Sequence, residues 1–192
     1  MSENLRLYTS ILFGFEHVVR SVPATAWDDP SPCEGWTARE VAGHAMSVVN
    51  NIAARGGVGE VVDGFTNVAG IAGKNPAETF RGFRNRYLLA TDREGGLQTM
   101  IKSRLGEMTL DTYIGKMCVD TLVHTWDIAR ATGVDEELDP DAVHTVWTQV
   151  SSAASAGTDL VRSPGFFDPA LDPSGSNESD LLIAFSGRTA LR

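Results

Sequence analysis

Residues 110–133 read LDTYIGKMCVDTLVHTWDIARATG, and this stretch decides the fold. Nothing in it after Gly115 breaks a helix until Gly133, which has the form of a C-cap. At about 100° per residue, Asp120, His124 and Asp127 fall within a strip of roughly 60°. Met117, Val123 and Ile128 flank that strip, and Val119, Leu122 and Trp126 cover much of the remainder. A helix that is apolar nearly all round is buried, and buried carboxylates need a partner. Asp120 and His124 are four apart, so both side chains leave one face.

Working outward, five more helices are expected. Residues 5–22 carry Leu5, Leu12, Phe15 and Val19 at helical spacing and end at Pro23. Thr37 with Glu40 forms a capping box that opens a second helix. Its apolar positions are Val41, Ala45, Val48 and Ile52, and His44 lies on the same face. Asn75-Pro76 opens a third helix to about residue 91. The 110–132 helix is the fourth, Asp139-Pro140 starts a fifth to about residue 156, and 179–186 forms a last short one before Gly187. Residues 56–73 are glycine-rich and read as a loop with at most a short helical turn, either a lid or a plain connector. Residues 95–109 read as a connector carrying short extended segments, and 163–176 as a proline- and glycine-rich surface excursion. The expected fold class is all-α: a four-helix bundle over residues 1–134, with residues 135–192 as a C-terminal extension packed on it in one domain overall.

His44, Asp120 and His124 form the candidate metal site. Imidazole nitrogen and carboxylate oxygen are ligands for zinc or a similar divalent ion, and three protein ligands leave a position open. The simpler alternatives are an i,i+4 hydrogen-bonded pair for Asp120 and His124 and a satisfied core histidine for His44. The combination favours metal: the chain has 4 histidines, and two lie on the buried faces of the two best-marked helices. Asp127 reads as an acceptor for the metal-bound histidine's other N–H or as a structural residue, the alternatives being a fourth ligand, a proton-transfer role, and a plain partner for Arg130 or the helix's surroundings. His17 and His144 read as exposed or half-buried. Cys33 precedes a helix N-terminus, where a thiol can be activated, but a small loop residue is the simpler reading. Cys118 points about 160° away from the Asp120 strip and reads as core. Trp36, Arg39 and Arg130 are lining or structural candidates.

Composition excludes other classes. The chain has 192 residues, 42% hydrophobic and 21% charged, which is ordinary for a folded domain. A net charge of -9 with no basic stripe argues against nucleic acid or an anionic membrane as partner. No run is apolar enough to span a bilayer, no signal peptide is visible, and two cysteines in unlike contexts suit a reducing cytoplasm. The Asn177-Glu178-Ser179 sequon carries no meaning without secretion. There is no phosphate-binding glycine loop and no Gly-x-Ser-x-Gly.

Two segments resemble a known family. Pro32-Cys33-Glu34-Gly35-Trp36-Thr37-Ala38-Arg39-Glu40-Val41-Ala42-Gly43-His44 is similar to the pattern PC-x-GW-T-x-RE-V-x-x-H. The run from Asp120 to Gly133 is similar to E-x-x-x-H-x-WD-[LI]-A-R-A-T-G, and Leu105-Gly106-Glu107-Met108 also fits. Both patterns are typical of the mycothiol-dependent maleylpyruvate isomerase N-terminal family, within the DinB-like metal-binding superfamily. The likeness covers about residues 5–133, and the tail resembles the actinobacterial single-domain branch.

The resemblance implies a DinB-like bundle whose metal, usually zinc, is held at His44, Asp120 and His124. Aspartate stands at 120 where the family most often has glutamate, which shortens one ligand by a methylene and bears on affinity and on whether zinc or nickel is bound. The isomerase carries a further C-terminal domain, which a chain ending at Arg192 is expected to be too short to hold, so maleylpyruvate isomerisation itself is not implied. A metal with an open position holds a thiol as thiolate at neutral pH. The expected function is therefore a metal-dependent thiol transferase or isomerase, with mycothiol or a similar small thiol as co-substrate and a small electrophile as second partner. The alternatives are a metal-dependent hydrolase, a non-catalytic metal-binding bundle that senses or docks, and a bundle that has lost its metal. Exposed apolar faces on such bundles commonly make dimers, so a homodimer is a further expectation.

Overall fold

The structure is a computed structural model that describes residues 1–156 and 167–189. It divides into two compact units, Met1–Glu136 and Glu137–Arg192. The first holds α1 (Glu3–Ser21), α2 (Ala38–Arg55), α3 (Val68–Ala72), α4 (Pro76–Thr91), a 3-10 turn (Gly96–Gln98), β1 (Met100–Ser103), β2 (Gly106–Thr109) and α5 (Leu110–Thr132). The second holds α6 (Pro140–Ser155) and α7 (Glu178–Phe185). Among the described residues no helix is long and apolar enough to cross a membrane.

Local chemistry sets the helix ends. Thr37 accepts from the Glu40 amide and Glu40 accepts in return from the Thr37 amide at 2.8 Å, so the capping box forms. Asn75 caps α4 and Pro76 takes its first turn. Gly133 ends α5 in the left-handed region, φ 69°. Thr37→Ala removes the side-chain acceptor at the start of α2 and is expected to cost about 1 kcal/mol. Chemical denaturation against the parent protein measures this loss.

In the first unit α1, α2, α4 and α5 form the bundle. Tyr8 meets Thr121 through hydroxyls 3.1 Å apart, tying α1 to α5. The Phe15 and Phe80 rings pack at 4.9 Å and those of Tyr8 and Tyr87 at 5.7 Å, joining α1 to α4 in antiparallel sense. Arg55 lies over the Tyr113 ring at one end of the α2–α5 pair, and His44 meets Asp120 and His124 nearer the other, so these two helices also run antiparallel. Every residue from Val41 to Asn50 is buried, although the sequence pattern marks only one apolar face on α2. The extra burial comes from α3 and the chain before it, which cover the remaining side. Gly43 makes this possible, because the α3 backbone at Val68 lies where a β-carbon would sit.

The connector before α5 carries short extended segments, as the sequence led one to expect. It forms an antiparallel hairpin in which Met100 pairs with Thr109 and Ser103 with Gly106. Within the second unit, His144 pairs with Glu178 at 3.0 Å and the Trp147 and Phe185 rings meet edge to face, joining α6 to α7. Residues 163–166 of the expected surface excursion lie outside the described residues, and 167–176 carry no helix or strand.

Candidate metal centre

His44 comes from the second turn of α2, and Asp120 and His124 from the middle of α5. All three are buried, at 7%, 7% and 5% exposure. One ligand-type atom from each lies within 4.8 Å of the others. Asp120 Oδ1 is 3.6 Å from His44 Nε2 and 3.7 Å from His124 Nε2. An N–H···O hydrogen bond ends at about 3.2 Å, so these separations are too long for one. Metal–ligand bonds of about 2.0–2.2 Å at the tetrahedral angle place ligand atoms roughly 3.3–3.6 Å apart. The observed edges sit at and just past the upper end of that range.

The far side of each ring explains why Nε2 faces inward. His44 Nδ1 lies 2.7 Å from the Gly64 carbonyl oxygen, which can only accept, so Nδ1 carries the hydrogen. His124 Nδ1 lies 2.9 Å from Asp127 Oδ2 and donates to it in the same way. As a neutral imidazole, each ring then presents a lone pair to the Asp120 carboxylate. Two lone pairs and a carboxylate converging in a buried space suit a cation. The donor set therefore fits a divalent metal.

Asp127 is fully buried, with Oδ2 2.9 Å from His124 Nδ1. Replacing it should loosen the His124 ring and lower metal affinity. Asp127→Asn keeps an acceptor oxygen but loses the charge, so about a tenfold loss is expected, against about a hundredfold for Asp127→Ala. Competition with a chromophoric chelator reads both values, and unchanged affinity in both variants would remove the orienting role.

The acceptor on His44 has no counterpart in the sequence reading. It is a backbone carbonyl within the glycine-rich segment 56–73. That segment is fastened to α2: Asn50 Nδ2 donates to the Glu60 carbonyl at 2.8 Å. Asn51 donates to the Val62 carbonyl at 2.9 Å and accepts from the Val62 amide at 2.8 Å. These contacts bring Gly64 over His44, and a β-carbon on Gly64 would press on Ser47 Oγ. The adjacent Asn50-Asn51 pair between Val49 and Ile52 is the available signal that backbone is held there.

Aromatic rings border the cluster. Trp36 meets His44 edge to face at 5.3 Å, and Phe65, 52% exposed, lies 5.1 Å from the same ring. Phe65 was not picked out from the sequence. Of the other candidates, Arg39 pairs with Asp28 and donates to the Gly73 carbonyl. Arg130 pairs with Glu136 at 2.7 Å and lies over the Trp126 ring. Both serve the frame. His17 is exposed, and His144 is bound to Glu178 in the second unit. Cys118 is buried, and desolvation pushes its thiol up to about 12. Cys33 is half-buried and lies beside His124 and Asp127, closer to the centre than a plain loop residue.

Together, the fold and this cluster define a mostly α-helical, DinB-like bundle with a His/Asp/His constellation suited to metal. The family model of the mycothiol maleylpyruvate isomerase N-terminal domain matches residues 14–129, and the chain belongs to that family. Two uncharacterized proteins of Mycobacterium tuberculosis, from strains CDC 1551 / Oshkosh and ATCC 25618 / H37Rv, are each 29% identical over 182 residues. The alignments cover 91% of this chain and 92% of theirs. A crystal structure of a mutant of the mycothiol-dependent maleylpyruvate isomerase superposes with a TM-score of 0.56 at 15% identity. It covers 81% of this chain and 71% of that one, and the likeness is one of fold.

Proposed function

We propose that His44, Asp120 and His124 hold one divalent metal, zinc or else nickel, and that the protein is a metal-dependent thiol transferase or isomerase. The observation that carries this reading is the convergence of two buried Nε2 atoms on Asp120, each ring fixed by a hydrogen bond at its opposite nitrogen. A divalent ion there, with a position left open by three protein ligands, would hold an incoming thiol as thiolate at neutral pH. Membership of the mycothiol isomerase family supports mycothiol as that thiol and a small electrophile as its partner.

The chain's own residues set the rest. Asp127 keeps the Nδ1 hydrogen of His124 in place, and the Gly64 carbonyl does the same for His44. Trp36 and Phe65 border the cluster with apolar surface against which a bound thiol's carbon chain would pack. Because Asp120 is shorter than glutamate, its carboxylate is held close to the α5 backbone. This reading needs a reducing compartment such as the cytoplasm, where cysteines and small thiols stay reduced.

Cobalt substitution tests it. The protein is loaded with cobalt in a Cys33→Ser background, so any sulfur on the ion comes from added thiol. A small thiol should bring up a sulfur-to-cobalt charge-transfer band, which His44→Ala should abolish. A spectrum indifferent to thiol, with hydrolysis of model esters or amides proceeding without it, would replace this reading with metal-assisted hydrolysis. Indifference to both thiol and ester would leave a non-catalytic metal-binding bundle.

A further inference from the structure

His124 has two ring nitrogens, and the first site uses one. The other, Nδ1, faces Asp127. The Cys33 thiol, a ring nitrogen of His124 and a carboxylate oxygen of Asp127 lie within 4.8 Å of one another. His124 and Asp127 are both more than nine-tenths buried. This is a donor set of one sulfur, one nitrogen and one oxygen that shares His124 with the set at His44 and Asp120.

Cys33 is held in place by its backbone. Its amide donates to Ser31 Oγ at 3.2 Å, and its carbonyl accepts from the Trp36 amide at 3.0 Å. Ser31 and Trp36 are themselves joined by a backbone hydrogen bond of 2.9 Å, and Pro30 bridges to Thr37 at the start of α2. The thiol is thus carried by a closed turn tied to the same helix that carries His44. Thiolate sulfur selects soft ions, while carboxylate and imidazole tolerate them.

We propose that Cys33, His124 and Asp127 form a second cation site, suited to a soft, thiophilic ion, and that filling it opposes filling of the first. The antagonism follows from the imidazole. A cation at His44, Asp120 and His124 needs the proton on Nδ1, where Asp127 accepts it. A cation at the second site needs the Nδ1 lone pair and takes Asp127 as a ligand. Binding there displaces the Cys33 thiol proton to solvent and moves the ring proton to Nε2, the nitrogen the first site requires. A neutral imidazole satisfies only one of these demands. The second site stands on its own three residues, whereas the antagonism rests on the metal reading above.

Cadmium alone is the probe, followed by its ultraviolet sulfur-to-cadmium charge-transfer band. The native protein should develop the band, saturating near one ion per chain. Cys33→Ser should lack it. His44→Ala and Asp120→Asn, which disable only the first site, should keep it, and either variant suffices if the other fails to fold. In zinc-loaded native protein, cadmium should release zinc to an indicator dye, and Cys33→Ser should need at least about tenfold more cadmium for the same release, the lower end of the loss expected for a supporting group.

No band in the native protein overturns the proposal. So does a band that survives Cys33→Ser, or one lost in both His44→Ala and Asp120→Asn, which would make Cys33 a ligand of the first ion. Burial keeps Cys118 out of the signal, since its thiol is pushed up to about 12 and faces the Ile114 carbonyl. A native protein that binds no zinc yet shows the cadmium band would refute the first site and uphold the second.

Discussion

Gly43→Ala is expected to cost about 3 kcal/mol or more, the upper end for overpacking, because what it meets is backbone. A methyl at 43 would lie 2.6 Å from the Val68 carbonyl carbon and nearer still to its oxygen, with the Ala72 amide nitrogen at 3.3 Å. α3 would have to move off α2, and the chain leading into it carries the Gly64 carbonyl that orients His44. A fall in Tm of roughly 10 °C is therefore expected, with weaker metal binding beside it. Gly14 and Gly82 are the controls. Both are helical, and a β-carbon at either meets nothing within 4 Å. Alanine at those positions should stabilise by about 0.5–1 kcal/mol each, because it lowers the entropy of the unfolded chain. The same substitution thus has opposite signs at positions 43 and 14. If Gly43→Ala behaved like Gly14→Ala, the close approach of α2 and α3 would be wrong.

His124→Ala should abolish metal binding. The native protein is expected to hold about one zinc per chain and the variant close to none, by elemental analysis after gel filtration. The thermal shift on adding chelator is the sharper readout. Metal bound only to the folded state, at a thousandfold over its Kd, contributes about 4 kcal/mol, so chelator should lower the native Tm. It should leave the variant's Tm where it was. Comparing each protein with and without chelator removes the packing lost with the buried imidazole. A native protein whose Tm ignores chelator, and which carries no metal after reconstitution, would leave Asp120 and His124 as a structural pair. His44→Ala should behave like His124→Ala in zinc content and differ from it only with a soft ion, where the Cys33 site keeps its own ligands.

Much of the fold was legible because its signals are local. Thr37 and Glu40 announce the start of α2, Asn75-Pro76 that of α4, and Gly133 the end of α5, each through a hydrogen bond or backbone angle made within one turn. The placement of Asp120, His124 and Asp127 on one strip is likewise a property of a single helix. At 100–109 the sequence supports short extended segments but not their pairing into a hairpin. Its strands are four residues long, and neither alternates strictly between apolar and polar residues.

The site divides along the same line. Helical periodicity on α5 predicts that Asp120 and His124 share a face, and the chemistry of imidazole and carboxylate makes that face a candidate for metal. Sequence alone left open whether Asp127 accepted from His124 or only paired with its surroundings, and the 2.9 Å contact favours acceptance. It marked Cys33 only as a thiol near a helix start, because nothing local records that the turn carrying it folds toward α5. It could not see the Gly64 carbonyl at all, since a backbone oxygen has no residue identity, and the strap reaches His44 only through its clamp on Asn50 and Asn51. What the sequence determined by itself is the set of helices and the chemical character of their buried faces, through interactions spanning four residues or fewer. Bringing His44 to within 3.6 Å of Asp120, across seventy-odd residues of chain, needed the antiparallel packing of α2 on α5. That packing is a global compromise of buried area, close backbone contact at Gly43 and satisfied polar groups, and no local pattern encodes its outcome.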